Sequence, residues 1–179
     1  MIRDLFDKFL LLGLVAVAVA IALVLGGFFG QDDALITQKR NPAVERAMQE
    51  KARSAFLLET YQPVEHLMLS DRHAEALLKL QEFDKTFPGE PHTMILRGSI
   101  LVTQGVLSEG LAQYAAAVKI NGDYVDEKSS LHRRDEINQL VESAVPAIRK
   151  SLQVASTPTL EKSLRDAYYL QSRLAGGCE

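Results

Sequence analysis

Asp71-Arg72-His73-Ala74-Glu75-Ala76-Leu77-Leu78-Lys79-Leu80 and Gly105-Val106-Leu107-Ser108-Glu109-Gly110-Leu111-Ala112-Gln113-Tyr114 are the two stretches whose comparison decides the fold. Their starts lie 34 residues apart (105 − 71), and at that offset Ala76 falls on Gly110, Leu80 on Tyr114, Phe83 on Ala117 and Pro88 on Gly122. Small, bulky, apolar and helix-stopping positions therefore coincide. A recurrence of this length marks a helix–turn–helix unit that buries its apolar face by stacking on a neighbour. No run alternates β-branched with polar residues between hairpin turns, so strands are not expected. Asn121-Gly122 follows a helical stretch and acts as a helix stop.

Outward from this repeat, the helix signals continue in both directions. Asn41-Pro42 places an N-cap before a proline at the first helical position, where its missing N–H does no harm. The run to Tyr61 is rich in Ala, Glu, Met, Gln, Lys, Arg and Leu, all strong helix formers. Pro63 is expected to interrupt it and to start a new helix through Leu69. Residues 125–134 are charged and read as a loop or a fraying helix. Asp135 to Ser151 is helical, with Pro146 expected to end one helix and open another. Thr157-Pro158 repeats the cap signature for a helix to Leu174, which Gly176 and Gly177 stop. Residues 42–61 and 125–175 are the expected helical caps, with Leu164, Tyr168 and Leu170 inward and Arg165, Asp166 and Arg173 wet.

The central region resembles the tetratricopeptide repeat family. Gly98 supplies the small residue of the first helix, Leu101 the bulky one after it, Gly105 the turn and Leu107 the bulky start of the second helix. Gly110, Tyr114 and Ala117 match the small–aromatic–small series. The terminal Pro is replaced by Gly122, although Pro88 is present one repeat earlier. Arg97 stands where Leu is usual. In the earlier unit Val64 replaces the small residue and Asp71 the turn glycine, and Pro63 shortens the first helix. The resemblance covers residues 63–124. It implies a short all-α solenoid of helical hairpins over residues 42–175, with residues 176–179 as a tail. It also implies a protein-binding groove lined by the first helix of each pair, at 63–70 and 92–104. His66, Thr93, Arg97 and Gln104 are the polar candidates for that groove. The implied role is a scaffold, accessory subunit or chaperone of a membrane or envelope complex. The alternative is a structural subunit packed permanently against its partners.

The N-terminus carries its own expectation. Residues 1–8 form a short tail, and residues 9–30, FLLLGLVAVAVAIALVLGGFFG, contain no charge. At a rise of about 1.5 Å per residue, roughly 20 such residues cross a bilayer core about 30 Å thick. The segment therefore reads as a single-pass transmembrane helix, with residues 31–41 as linker. A cleaved signal peptide is the rival, disfavoured by the length of the stretch and by large residues at its exit. Lys and Arg are nearly even on the two flanks, and the short tail favours a soluble part outside the cytoplasm, as in a bacterial inner-membrane protein facing the periplasm. Ala18, Ala22, Gly26 and Gly30 recur every four residues, a stripe that lets two membrane helices approach.

Composition narrows the chemistry. Net charge is −3, with no basic block for nucleic acid. The one cysteine, Cys178, permits neither an intramolecular disulfide nor a Cys-based zinc site. His66, His73, His92 and His132 show no i, i+3 or i, i+4 pairing, so no metal site is expected. No phosphate-binding loop, dinucleotide fingerprint or nucleophile elbow is present, and neither an enzyme nor a cofactor is expected. Other proteins, and the lipid bilayer through residues 9–30, are the expected partners.

Overall fold

A computed structural model describes residues 42–176 of the chain, together with Leu14 and Ile21. The chain divides into two compact units, residues 1–49 and 50–179. Of the first, the described part is chiefly the start of a helix, with Val44 and Met48 exposed. The described residues form six α-helices and no strand: α1 (Pro42–Leu69), α2 (His73–Thr86), α3 (Pro91–Thr103), α4 (Leu107–Ile120), α5 (Arg134–Val154) and α6 (Pro158–Leu174). A 3-10 turn at Gly122–Tyr124 follows α4.

The 34-residue offset of the sequence is an offset of backbone geometry. Helix α2 begins and ends 34 residues before α4 begins and ends (107 − 73 and 120 − 86). The turns that precede them match bond for bond. Asp71 N–H donates to Met68 O at 3.0 Å and Arg72 N–H to Leu67 O at 2.9 Å; Gly105 N–H donates to Val102 O at 2.9 Å and Val106 N–H to Leu101 O at 2.8 Å. This crossed pair is the Schellman arrangement, which satisfies the last carbonyls of a helix and needs a left-handed residue at its centre. Gly105 supplies it at φ 81° and Asp71 at φ 59°. Aspartate is among the few side chains that tolerate that region.

Helices α3 and α4 cross where neither has a side chain. A Cβ on Gly110 would lie 2.5 Å from Val102 Cγ2 and 3.2 Å from Gly98 O, and one on Gly98 would lie 3.0 Å from the Tyr114 ring. Around this crossing Ile95, Ile100, Leu111 and Ala117 are fully buried, and the core continues through Tyr61, Val64, Ala76 and Leu80. The Tyr61 ring packs against Phe83 at 4.6 Å in a tilted contact, which joins α1 to α2. Leu101 and Leu107, expected to fill the grooves, are half-buried.

Both internal prolines depart from expectation. Pro63 lies inside the continuous α1, and Pro146 inside the continuous α5. A proline in a helix interior costs about 3 kcal/mol through its lost hydrogen bond and ring clash. Both prolines face solvent, while Tyr61 and Val64 on one side, and Ala144 and Ile148 on the other, are buried. Packing of the inner face holds each helix together across its proline.

The C-terminal helices cover the second hairpin. Helix α6 packs on both α5 and α4. Thr157 Oγ1 accepts from Leu160 N–H at 3.3 Å and Pro158 takes the first helical position. Leu170 is fully buried, whereas Leu164 and Tyr168 are half-buried. Asp166, expected to be wet, is buried and pairs with Lys119 of α4 at 3.5 Å. On the helix it shares a face with the buried Ser163, Ala167 and Leu170, and an opposing lysine makes that position tenable.

The membrane-anchored part of the expected fold is corrected. No helix among the described residues is long and apolar enough to cross a membrane. The longest, α1, carries Glu45, Arg46, Glu50, Lys51, Arg53, Glu59 and Glu65, a charge density no bilayer core accepts. Residues 9–30, with the stripe Ala18, Ala22, Gly26 and Gly30, lie outside the described residues except for Leu14 and Ile21. Asn41 and Cys178 lie outside them too. The fold class is an all-α helical-hairpin array with no transmembrane helix among the described residues.

Candidate functional site

The four polar positions singled out for a groove do not form one cluster. His66 is exposed near the end of α1, and Gln104 is exposed at the C-cap of α3. Thr93 is fully buried, and its Oγ1 shares a 2.5 Å hydrogen bond with the Tyr61 hydroxyl. Arg97 is half-buried and paired with Asp84 of α2. Its guanidinium therefore bridges the two helices instead of standing free in a groove.

Thr93 belongs to a polar knot inside the core. Its neighbour His92 is also fully buried, between the Tyr61 ring at 4.9 Å and the Tyr124 ring at 5.9 Å. His92 Nδ1 lies 3.3 Å from the Tyr124 hydroxyl, while Nε2 has no hydrogen-bond partner among the described residues. Burial, and secondarily the positive charge of Arg133, push the His92 pKa down to about 4, so the ring is neutral at pH 7. Burial raises the pKa of Tyr61 and of Tyr124. Tyr114 is raised too, by burial first and then by Glu136, to which its hydroxyl donates. Tyr61, His92, Thr93 and Tyr124 join α1, α3 and the 3-10 turn, and Tyr114 joins α4 to α5. The absence of ligand spacing gives His92 no role in the sequence; its place three and four residues before Ile95 and Leu96, on the apolar side of α3, was the available sign.

Two concavities among the described residues bear on function. One, of about 500 Å³, lies along the 3-10 turn and the following loop and includes Asp123, Asp126, Glu127 and Arg134. Its main cation is engaged in structure: Arg134 pairs with Glu127 at 3.0 Å and donates to Val125 O at 2.9 Å and Leu174 O at 2.5 Å. That last contact ties the loop to the C-terminal carbonyls of α6, where a cation is favoured.

The other concavity, about 630 Å³, is an open groove between α2 and α3, lined by Ala74, Leu77, Leu78, Gln81, Asp84 and Arg97. Leucine and alanine supply its apolar lining, and the Arg97–Asp84 pair its charged part. Leu78 is 63% exposed, an unusual position for a leucine on a repeat helix. Of the residues expected at a partner site, only Arg97 lies here. The spacing of 74, 78 and 81 at i, i+4 and i+7 was legible as one helix row, but which row stays uncovered is not a property of the helix alone. Among the described residues no group of His, Cys, Asp and Glu gathers as a metal ion needs. The groove has no buried nucleophile or titratable pair. Its chemistry is that of apolar contact with a charged part, which suits another polypeptide. No family model, curated protein or solved structure matches the chain.

Proposed function

We propose that this chain is a protein-binding module of the tetratricopeptide-like kind, which holds a partner protein within a larger assembly. The observation that carries this reading is the duplicated hairpin, whose turns match at the 34-residue offset in backbone hydrogen bonds and in left-handed φ. Repeats of this kind stack helices into a surface and enclose no reaction chamber. The open apolar groove between α2 and α3 supports the same reading.

Cross-linking followed by affinity capture tests it, with the full chain tagged and expressed in its source organism. The expected result is one or a few proteins recovered in proportion to the bait, with cross-links to Lys79 or Lys85 of α2. Recovery of background proteins alone, with no cross-link to α1–α4, overturns it.

A further inference from the structure

Helices α2 and α4 are register counterparts, yet one is covered and the other is not. On α4 the row Ser108, Ala112, Ala115 and Lys119 meets α6 at Lys119. Lys119 pairs with Asp166 at 3.5 Å and lies 4.9 Å from the Tyr169 ring centre. Residues four, seven and eleven positions before Lys119 share its side of the helix. Ala115 is 1% exposed there, and Ser108 and Ala112 are half-buried. Subtracting 34 gives Ala74, Leu78, Gln81 and Lys85 on α2, and all four are exposed. Leu77 widens the row and belongs to the same groove. Lys85 makes no salt bridge among the described residues, although Lys119, its counterpart, has one.

We propose that the α2 groove receives an amphipathic α-helix of a partner protein, laid along α2 much as α6 lies along α4. The proposal rests on the protein-binding reading above. Helix α6 shows what such an occupant needs. Its buried residues Ser163, Asp166, Ala167, Leu170 and Leu174 form one stripe of small and apolar side chains with a single carboxylate. A partner helix places small side chains opposite Leu78 and a carboxylate within reach of Lys85. The 14 residues of α2 span about 21 Å, room for a partner helix of about four turns. Arg97 and Asp84 neutralise each other, so the charge on the row itself that the occupant meets is Lys85, whose field also reaches Glu82 on the same helix.

The test uses a fluorescent synthetic peptide of this chain's own residues 157–175, titrated with full-length protein and read by anisotropy. Saturable binding is expected. Leu78→Asp, at an exposed position, is expected to weaken it about tenfold or more while leaving the thermal midpoint unchanged. Lys85→Glu weakens it as well, and a peptide carrying Asp166→Lys regains the loss. No binding overturns the proposal, as does equal binding by wild type and Leu78→Asp, which would place the peptide on α4. Dimerisation abolished by Leu78→Asp in sedimentation makes the occupant a second copy and also overturns it. Partner capture that is equal for wild type and Leu78→Asp removes the α2 site and leaves the binding reading standing; no specific capture removes that reading.

Discussion

The two hairpins share a turn and differ in how closely their helices meet. Gly98 and Gly110 face each other in the second, where an added Cβ would strike Val102 or the Tyr114 ring. The counterparts in the first are Val64 and Ala76 (98 − 34 and 110 − 34), both fully buried. The first hairpin thus fills its crossing with side chains, and the second with backbone. Their outer faces differ as well: α4 lies under α6, whereas the matching row of α2 is open. A turn motif of six residues can therefore be copied closely while the interface beside it is rebuilt. The turn is held by local hydrogen bonds and φ, and the interface by volume.

The largest expected effect tests the packing side of this contrast. Tyr114→Ala removes a buried ring that lies over Gly98 and should cost about 3–5 kcal/mol, by the precedent of large aromatic deletions. Its counterpart Leu80→Ala should cost about 2–5 kcal/mol, and less than Tyr114→Ala in the same urea titration. A reversed order would show that the first hairpin carries the tighter core.

Next comes a difference in charge. His92 is a buried, titratable residue of the second hairpin, and its counterpart in the first is Leu58. Its folded pKa is about 4 against an ordinary value of 6.5, so the unfolded chain binds the proton more readily. Stability rises with pH wherever the unfolded state holds more protons. The contribution is therefore complete above pH 6.5 and is lost as pH falls toward 4, a loss on the order of 3 kcal/mol. Urea midpoints measured across that window should fall for wild type and flatten for His92→Leu. Parallel profiles for the two proteins would remove His92 from this role.

Gly110→Leu forces several carbons into the glycine crossing and should cost about 1–3 kcal/mol. The reciprocal Ala76→Gly should cost only about 0.5–1 kcal/mol, the ordinary penalty of glycine in a helix interior. Thermal midpoints decide the matter. An unchanged midpoint for Gly110→Leu would mean that the second crossing is as roomy as the first.

The smallest effect is at Arg97, whose counterpart is Pro63. Arg97→Leu removes a partly exposed ion pair with Asp84, and such pairs contribute about 0–1 kcal/mol. Calorimetry should show little change. A large loss would show that the pair, and not apolar packing, holds α2 against α3.

Much of the architecture follows from local rules. Thr157-Pro158, Asn121 and the left-handed positions 71, 105 and 176 set helix ends through caps and φ, and each is visible in a few neighbouring residues. Of the glycine crossing, Gly110 was legible because a 34-residue self-comparison aligns it with the small Ala76, whereas Gly98 falls on Val64. Other features depend on what stands opposite. Pro63 and Pro146 do not break their helices because the inner faces on either side are anchored by burial. Asp166 is buried because Lys119 meets it, and Thr93 because Tyr61 does. Arg97 is tied down because Asp84 lies across a helix interface. The candidate site followed the same division. Its row of residues on α2 is written in the helix period, but its openness depends on where the other helices pack, and α6 lies on α4 and α5. Sequence by itself determined the hairpins, their caps and their closest approach, since those are interactions among near neighbours and a repeated register. Tertiary structure alone decided which polar groups are engaged and which face is left uncovered, since burial and pairing are properties of two surfaces and neither surface records the other.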